Sequence, residues 1–192
     1  MIKNFIIETE ICKKLVTPTI VNVVATASLN QPMNFEQLQK HAEILYDSKR
    51  YGGRVAYFKT KGMEGKVSIF LSGKMISIGT KSEKQAFKEL KIAAKFIVNK
   101  GLAKTIIINP IIQNLVATAD FAKSIDVEKL PGKTKAIYEP EQFPGAILRL
   151  KEPFKASILI FASGKVVIIG LKSSDQFAPT INRIEEIIAA SQ

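Results

Sequence analysis

Acid–base or metal chemistry needs titratable side chains brought close together, and this chain offers few. It holds one cysteine, Cys12, and one histidine, His41. Together they cannot supply the four ligands of a structural zinc site, and a lone cysteine excludes an internal disulfide. The 17 acidic side chains are scattered, with no acid–base pair or ligand cluster standing out. An enzymatic role is therefore poorly supported and no cofactor is expected. Cations dominate instead: 28 Lys+Arg give a formal net charge of +11. Such an excess suggests a polyanionic partner. It is unevenly placed, with 18 basic and 8 acidic side chains in residues 1–110 against 10 and 9 in residues 111–192. Charge alone does not separate this reading from that of a basic protein with no nucleic-acid role.

The elements that must carry this charge are written twice. Asn22-Val23-Val24-Ala25-Thr26-Ala27 returns as Asn114-Leu115-Val116-Ala117-Thr118-Ala119, and Phe70-Leu71-Ser72-Gly73-Lys74 returns as Phe161-Ala162-Ser163-Gly164-Lys165. Two copies of a long block imply a pseudo-two-fold pair of subdomains, suited to a nearly two-fold target such as duplex DNA. We divide the chain into an extension, 1–18, and repeats 19–110 and 111–192. In the first repeat a β-rich run covers 20–27. Asn34 with Gln37 then caps a helix continuing through Leu38, Ala42 and Leu45. Strands follow at Arg54–Lys59, Lys66–Phe70 and Lys74–Ile78. Ser82 with Gln85 opens the longest helix, whose apolar stripe is Phe87, Leu90, Ala94 and Ile97, and Gly101 ends it.

The second repeat has strands near Ile112–Ala119, Ala146–Lys151, Ala156–Phe161 and Lys165–Ile169. Its short helix, around Asp126–Leu130, is expected to stop at Pro131-Gly132. Its last helix starts near Ser174 or Asp175 and carries Phe177, Ile181, Ile184 and Ile188, with Pro179 confining the start. Strands such as Val166-Val167-Ile168-Ile169 do not alternate apolar with polar, so both sheet faces are apolar. One long helix per repeat covers one face only. The other is left as a surface for a partner or, alternatively, for a second copy of the chain. No apolar run reaches the length of a membrane span, and the first 18 residues carry no signal-peptide pattern. An intracellular protein is expected.

In the second repeat, Tyr138-Glu139-Pro140-Glu141-Gln142-Phe143-Pro144-Gly145, Leu159-Ile160-Phe161-Ala162-Ser163-Gly164-Lys165-Val166-Val167 and Gly170-Leu171-Lys172-Ser173 follow one another. With Ile112-Gln113-Asn114, this wording resembles the TATA-box-binding protein family over about residues 19–190, in its archaeal branch. The resemblance implies an α+β saddle, a curved antiparallel sheet with helices on its convex face and a concave face that grips the DNA minor groove. Tyr51 and Phe70, with Phe143 and Phe161, fall on the aromatic wedges that such proteins insert between base steps. Asn22 and Asn114 fall on the central hydrogen-bonding asparagines, whose amides suit the acceptors that A·T pairs present in the minor groove. Val24, Ile76, Ile78, Val116, Val167 and Ile169 would line the groove floor. Arg50, Arg54, Ser72, Lys74, Arg149, Ser163 and Lys165 would hold phosphates.

The resemblance also implies partners. These are double-stranded A·T-rich promoter DNA, transcription factor B received through Glu139, Glu141 and Gln142, and the RNA polymerase machinery. The protein would act as a monomer on DNA, with a homodimer as a possible free state. It would work in the cytoplasm at the archaeal nucleoid, or in the nucleus if eukaryotic. The first repeat departs from the family's wording: Tyr51-Gly52-Gly53 stands where Phe-Pro-Gly is usual, Tyr57 is read at the basic position of Arg149, and the extra residue is read in the hairpin Lys59–Lys66. The family's threonine before the strand-ending glycine is Ile78 in one repeat and Ile169 in the other, removing two hydroxyls that meet bases. These changes keep open a second reading, a diverged paralogue acting mainly through protein contacts.

Overall fold

A computed structural model describes residues 16–104 and 108–191. Cys12 and residues 1–15 of the extension lie outside them. The first repeat contributes β1 (Thr19–Ser28), α1 (Phe35–Leu38), β2 (Ile44–Tyr46), β3 (Val55–Phe58), β4 (Lys66–Phe70), β5 (Lys74–Thr80) and α2 (Glu83–Asn99). The second contributes β6 (Ile111–Asp120), α3 (Leu130–Lys133), β7 (Gly145–Leu150), β8 (Ala156–Phe161), β9 (Lys165–Leu171) and α4 (Phe177–Ser191). The nine strands among the described residues form one sheet in the order β2-β3-β4-β5-β1-β6-β9-β8-β7. Every pairing is antiparallel, and the two repeats join through β1 and β6 at the centre.

The long helices cover one face. Leu90, Ala94 and Ile97 of α2 are buried, as are Phe177, Ile181, Ile184 and Ile188 of α4, while Phe87 is half-buried. They close a core with Val23, Ala25, Val67, Ile69, Leu115, Ala117, Ile158, Ile160 and Ile168. The alternate residues point the other way: Val24, Ile76, Val116, Val167 and Ile169 are half-buried and Ile78 is 37% exposed. The uncovered apolar face expected from the non-alternating strands is therefore present. The capping residues behave as their chemistry requires. Asn34 and Ser82 accept from the amides of Gln37 and Gln85, and Gly101 takes the left-handed conformation, φ 70°, after α2.

Four bulges curve the sheet, at matching places in the two repeats. Val21 is skipped between Ile20↔Ala117 and Asn22↔Val116, and Gln113 between Val24↔Asn114 and Ala25↔Ile112. Gly79 is skipped between Val23↔Thr80 and Val24↔Ile78, and Gly170 between Leu115↔Leu171 and Val116↔Ile169. A bulge adds a residue to one strand only, bending it and increasing its twist. Gly79 and Gly170 take φ 97° and 113°, where a side chain would be strained, which accounts for glycine at both.

Several local expectations need correction. The helix capped by Asn34 ends at Leu38, and Leu45 lies in β2, exposed on the uncovered face beside buried Ile44. Pairing with β3 overrides the helical spacing of Leu38, Ala42 and Leu45. The short second-repeat helix begins at Leu130, where it was expected to end, because Pro131 fits a first turn whose amides need no partner. Cross-strand partners also relocate the length difference between repeats. Val55↔Phe70 corresponds to Gly145↔Phe161, so Tyr57 matches Ile147, and Lys59, next in β3's register, matches Arg149. The basic position is kept as lysine. The extra length lies before β3: the stretch from Leu45 to its neighbour Tyr57 is two residues longer than that from Ile137 to Ile147. The following hairpin is one residue shorter in the first repeat, not longer.

Candidate nucleic-acid interface

The concave face is built around β1 and β6. The bulge at Val21 turns both Val21 and Asn22 outward, and Gln113 and Asn114 repeat this in the second copy. The carbonyl oxygen of Asn22 accepts the N–H of bulged Gly79 at 2.9 Å. That bond fixes the amide, leaving its NH2 to donate away from the sheet. Gln113 Nε2 donates to Thr26 Oγ1 at 2.9 Å across the junction of the repeats. Around these polar groups the floor is Val24, Val116, Ile76, Ile78, Val167 and Ile169.

Two clefts flank this centre and share a set of equivalent lining positions. One, of about 510 Å³, is lined by Thr26, Ala27, Phe70, Ser72, Lys74 and Ile76 among others. Its counterpart, of about 570 Å³, is lined by Thr118, Ala119, Phe161, Ser163, Lys165 and Val167. Each places an aromatic ring beside a hydroxyl and a lysine. Gly73 and Gly164, φ 81° and 90°, turn the chain between those groups. The clefts differ at Ser28, replaced by Asp120, where each accepts from the amide two residues on and so shapes a turn, and on the central side, where Asn109, Ile111 and Gln113 line the first and Thr17 and Thr19 the second.

The stirrups beyond the clefts are unlike. In the second repeat Phe143 and Phe161 meet edge to face with ring centroids 5.7 Å apart. Two backbone bonds, from the amides of Gln142 and Phe143 to the carbonyl of Glu139, fold this loop and leave Glu139, Glu141 and Gln142 exposed. In the first repeat Tyr51 and Phe70 make no ring contact. Tyr51 sits at φ 50° and is 71% exposed. Its phenol neighbours that of Tyr57 and interacts with it electrostatically. Burial, then Tyr51, holds the Tyr57 phenol above its usual range against a weaker opposite pull from Arg50. Lys66 Nζ lies 4.6 Å from the Tyr57 ring centroid, within cation–π range.

The candidate phosphate ligands Arg50, Arg54, Ser72, Lys74, Arg149, Ser163 and Lys165 are all exposed. Arg50 is shared with Asp47, 3.3 Å away. Among the described residues no group of His, Cys, Asp and Glu could hold a metal ion, and no helix is long and apolar enough to cross a membrane.

The sequence matches the profile of the family described as "Transcription factor TFIID (or TATA-binding protein, TBP)" over residues 17–99 and again over 109–190. The chain belongs to the TATA-box-binding protein family. It is 40% identical over 160 residues to a TATA-box-binding protein of Cenarchaeum symbiosum, covering 83% of this chain and 87% of that one. With that of Methanocaldococcus jannaschii it shares 34% identity over 177 residues, 90% and 94% of the two chains. The solved structure titled "Methanococcus jannaschii TBP" superposes with a TM-score of 0.80 at 31% identity, covering 90% of this chain and 98% of that one. The saddle fold, the archaeal resemblance and a place among the DNA-binding factors of transcription initiation all follow.

Several residues of this face carry little signal in the sequence. Val21 and Gln113 looked like ordinary strand residues because a bulge has no side-chain signature of its own. Gly79 and Gly170 were read only as strand ends, although glycine inside a strand pattern signals a bulge. Leu45 and Ile137 are large, exposed and equivalent. Their exposure depends on the edge strand, which helical spacing concealed.

Proposed function

We propose that this protein binds A·T-rich promoter DNA in the minor groove, bends it, and presents the complex to transcription factor B and RNA polymerase. The observation that carries the reading is the pair of matched concave clefts, each with a ring, a hydroxyl and a lysine, flanking two outward asparagines. An amide NH2 satisfies the adenine N3 and thymine O2 acceptors, and the apolar floor leaves the guanine amino group unpaired, so A·T is preferred. Phe70, Phe143 and Phe161 supply flat apolar surfaces to replace base stacking where steps are easily deformed. Lys74 and Lys165, with Arg54, Lys59 and Arg149, lie at the rim as phosphate partners that fix position.

Glu139, Glu141 and Gln142 offer an acidic, exposed loop to a basic surface of transcription factor B. The protein acts on DNA as one chain, whose two repeats already supply both halves of the site. It has no catalytic role and works where the promoter lies, at the nucleoid of an archaeal cell. Ile78 and Ile169 favour a second reading, a paralogue with weakened recognition, since both lack the base-facing hydroxyl. A duplex with a TATA element and a G·C-substituted duplex, end-labelled for energy transfer, separate the two across a salt series. A bent, A·T-selective complex is expected. With five rim cations engaged, its affinity should fall as about the −4.5 power of salt concentration. Equal affinity for both duplexes, without a bend, would refute the reading.

A further inference from the structure

We infer that this protein kinks its DNA unequally, through a two-ring wedge at the second repeat and a single ring at the first. The inference rests on the minor-groove reading above and concerns how the grip is divided. In the second repeat the strand residue opposite Phe161 is Gly145. A Cβ at Gly145 would lie 3.0 Å from the Phe143 ring and 3.1 Å from the Phe161 ring. The glycine is therefore what lets the two rings close on each other. In the first repeat the residue opposite Phe70 is Val55. By strand alternation its branched side chain faces away from the core, at the place where the second repeat has only a glycine.

The loop leading to it is two residues longer, and the aromatic side chain it carries goes elsewhere. Tyr51 and Tyr57, with Leu45, Arg50, Lys59 and Lys66, line a separate cleft of about 680 Å³ at the outer edge of the sheet. Phe70 is left without a second ring packed on it, with valine opposite it in the neighbouring strand. Lys59, the counterpart of Arg149, and the additional cations Arg50 and Lys66 hold DNA by charge, which needs no unstacking. One end of the site is thus bent by insertion and the other gripped mainly by phosphate contact.

End-to-end energy transfer on a TATA duplex, with affinity measured alongside, tests this on four variants. Phe143→Ala should weaken binding by roughly 5- to 150-fold, the range of a lost aromatic–base stack, and reduce the bend. Gly145→Val, which moves the first repeat's valine into the second, should reproduce that loss without removing a ring. Tyr51→Ala and Val55→Gly should leave the bend unchanged and affinity within about twofold, since no stack is lost. Circular dichroism checks that each variant folds, and Gly145→Val stands in if Phe143→Ala does not. Should Tyr51→Ala reduce the bend as far as Phe143→Ala, or Gly145→Val leave it intact, the unequal wedge is wrong. If wild-type protein neither bends DNA nor prefers A·T, the minor-groove reading falls first, a result distinct from equal losses at the two stirrups.

Discussion

Asn22 and Asn114 occupy equivalent places but should not respond alike to mutation. Asn22 accepts the Gly79 amide at 2.9 Å, while Asn114 has no such intramolecular partner among the described residues. In free protein, Asn22→Ala leaves the Gly79 N–H to water, at a cost of about 1 kcal/mol. For a chain of this size that lowers Tm by about 2–4 °C. On DNA the same N–H is covered and dry, adding about 1–3 kcal/mol, and the lost amide donors add about 1 kcal/mol more. Together these weaken binding by roughly 30- to 700-fold. Asn114→Ala loses donors alone, so its Tm should hold while affinity drops by roughly 5-fold, about 1 kcal/mol. Asn22→Asp separates the two roles: its carboxylate still accepts from Gly79, so Tm is kept, but it cannot donate to a base and affinity is lost. Differential scanning calorimetry and fluorescence anisotropy on a TATA duplex measure both quantities. Equal Tm losses for the two alanine variants, or full affinity in Asn22→Asp, would refute the reasoning.

Three further outcomes are expected. Ile78→Thr and Ile169→Thr should each tighten binding by about 1 kcal/mol through a restored hydroxyl contact to a base, read by anisotropy; weaker binding by both would show that isoleucine is the better floor. Glu89 is buried in α2 and its Oε1 accepts from the amides of Glu64 and Gly65 at 2.8 and 3.2 Å and from Gln85 Nε2 at 3.2 Å. Glu89→Ala should therefore lower stability by about 2–4 kcal/mol, with Glu89→Gln much milder, and a melt within 2 °C (about 0.5–1 kcal/mol) of wild type for the alanine variant would contradict this. Tyr57 is raised, and a phenol is neutral when protonated, so its contribution is complete below the unfolded phenol pKa and is lost as pH rises through the folded value. Phenolate absorbance should show one late-titrating tyrosine in wild type that is missing in Tyr57→Phe; an unchanged late step would assign it to another ring.

The order of elements and the identity of the repeats were legible because apolar spacing, caps and glycines agree at each point. Val23, Ala25, Leu115 and Ala117 alternate cleanly, and α2 and α4 carry stripes that only a helix buries. The short elements were misread where partners decide. Leu45 obeys a helical period but is drawn into β2 by β3, and Pro131 opens a turn that its neighbours in sequence suggest it closes. The second stirrup was readable because its residues sit in one contiguous motif. The first was not, since Tyr51 keeps the aromatic chemistry of a wedge. It sits in a loop two residues longer than its counterpart, and the register of β3 puts Val55 where the second repeat has Gly145. Residue type fixes what a side chain can do, while cross-strand register decides what it meets.

The glycine bulges at Gly79 and Gly170 carry a consequence for how this surface can change over time. They set the bend of the sheet through backbone geometry, independently of the side chains that line it. The mould therefore keeps its shape while its lining is exchanged, as at Ile78 and Ile169, each immediately before a bulge. Drift in base preference and loss of the saddle become separate events, so a lineage can retune the sequences it reads without first surviving a badly folded intermediate.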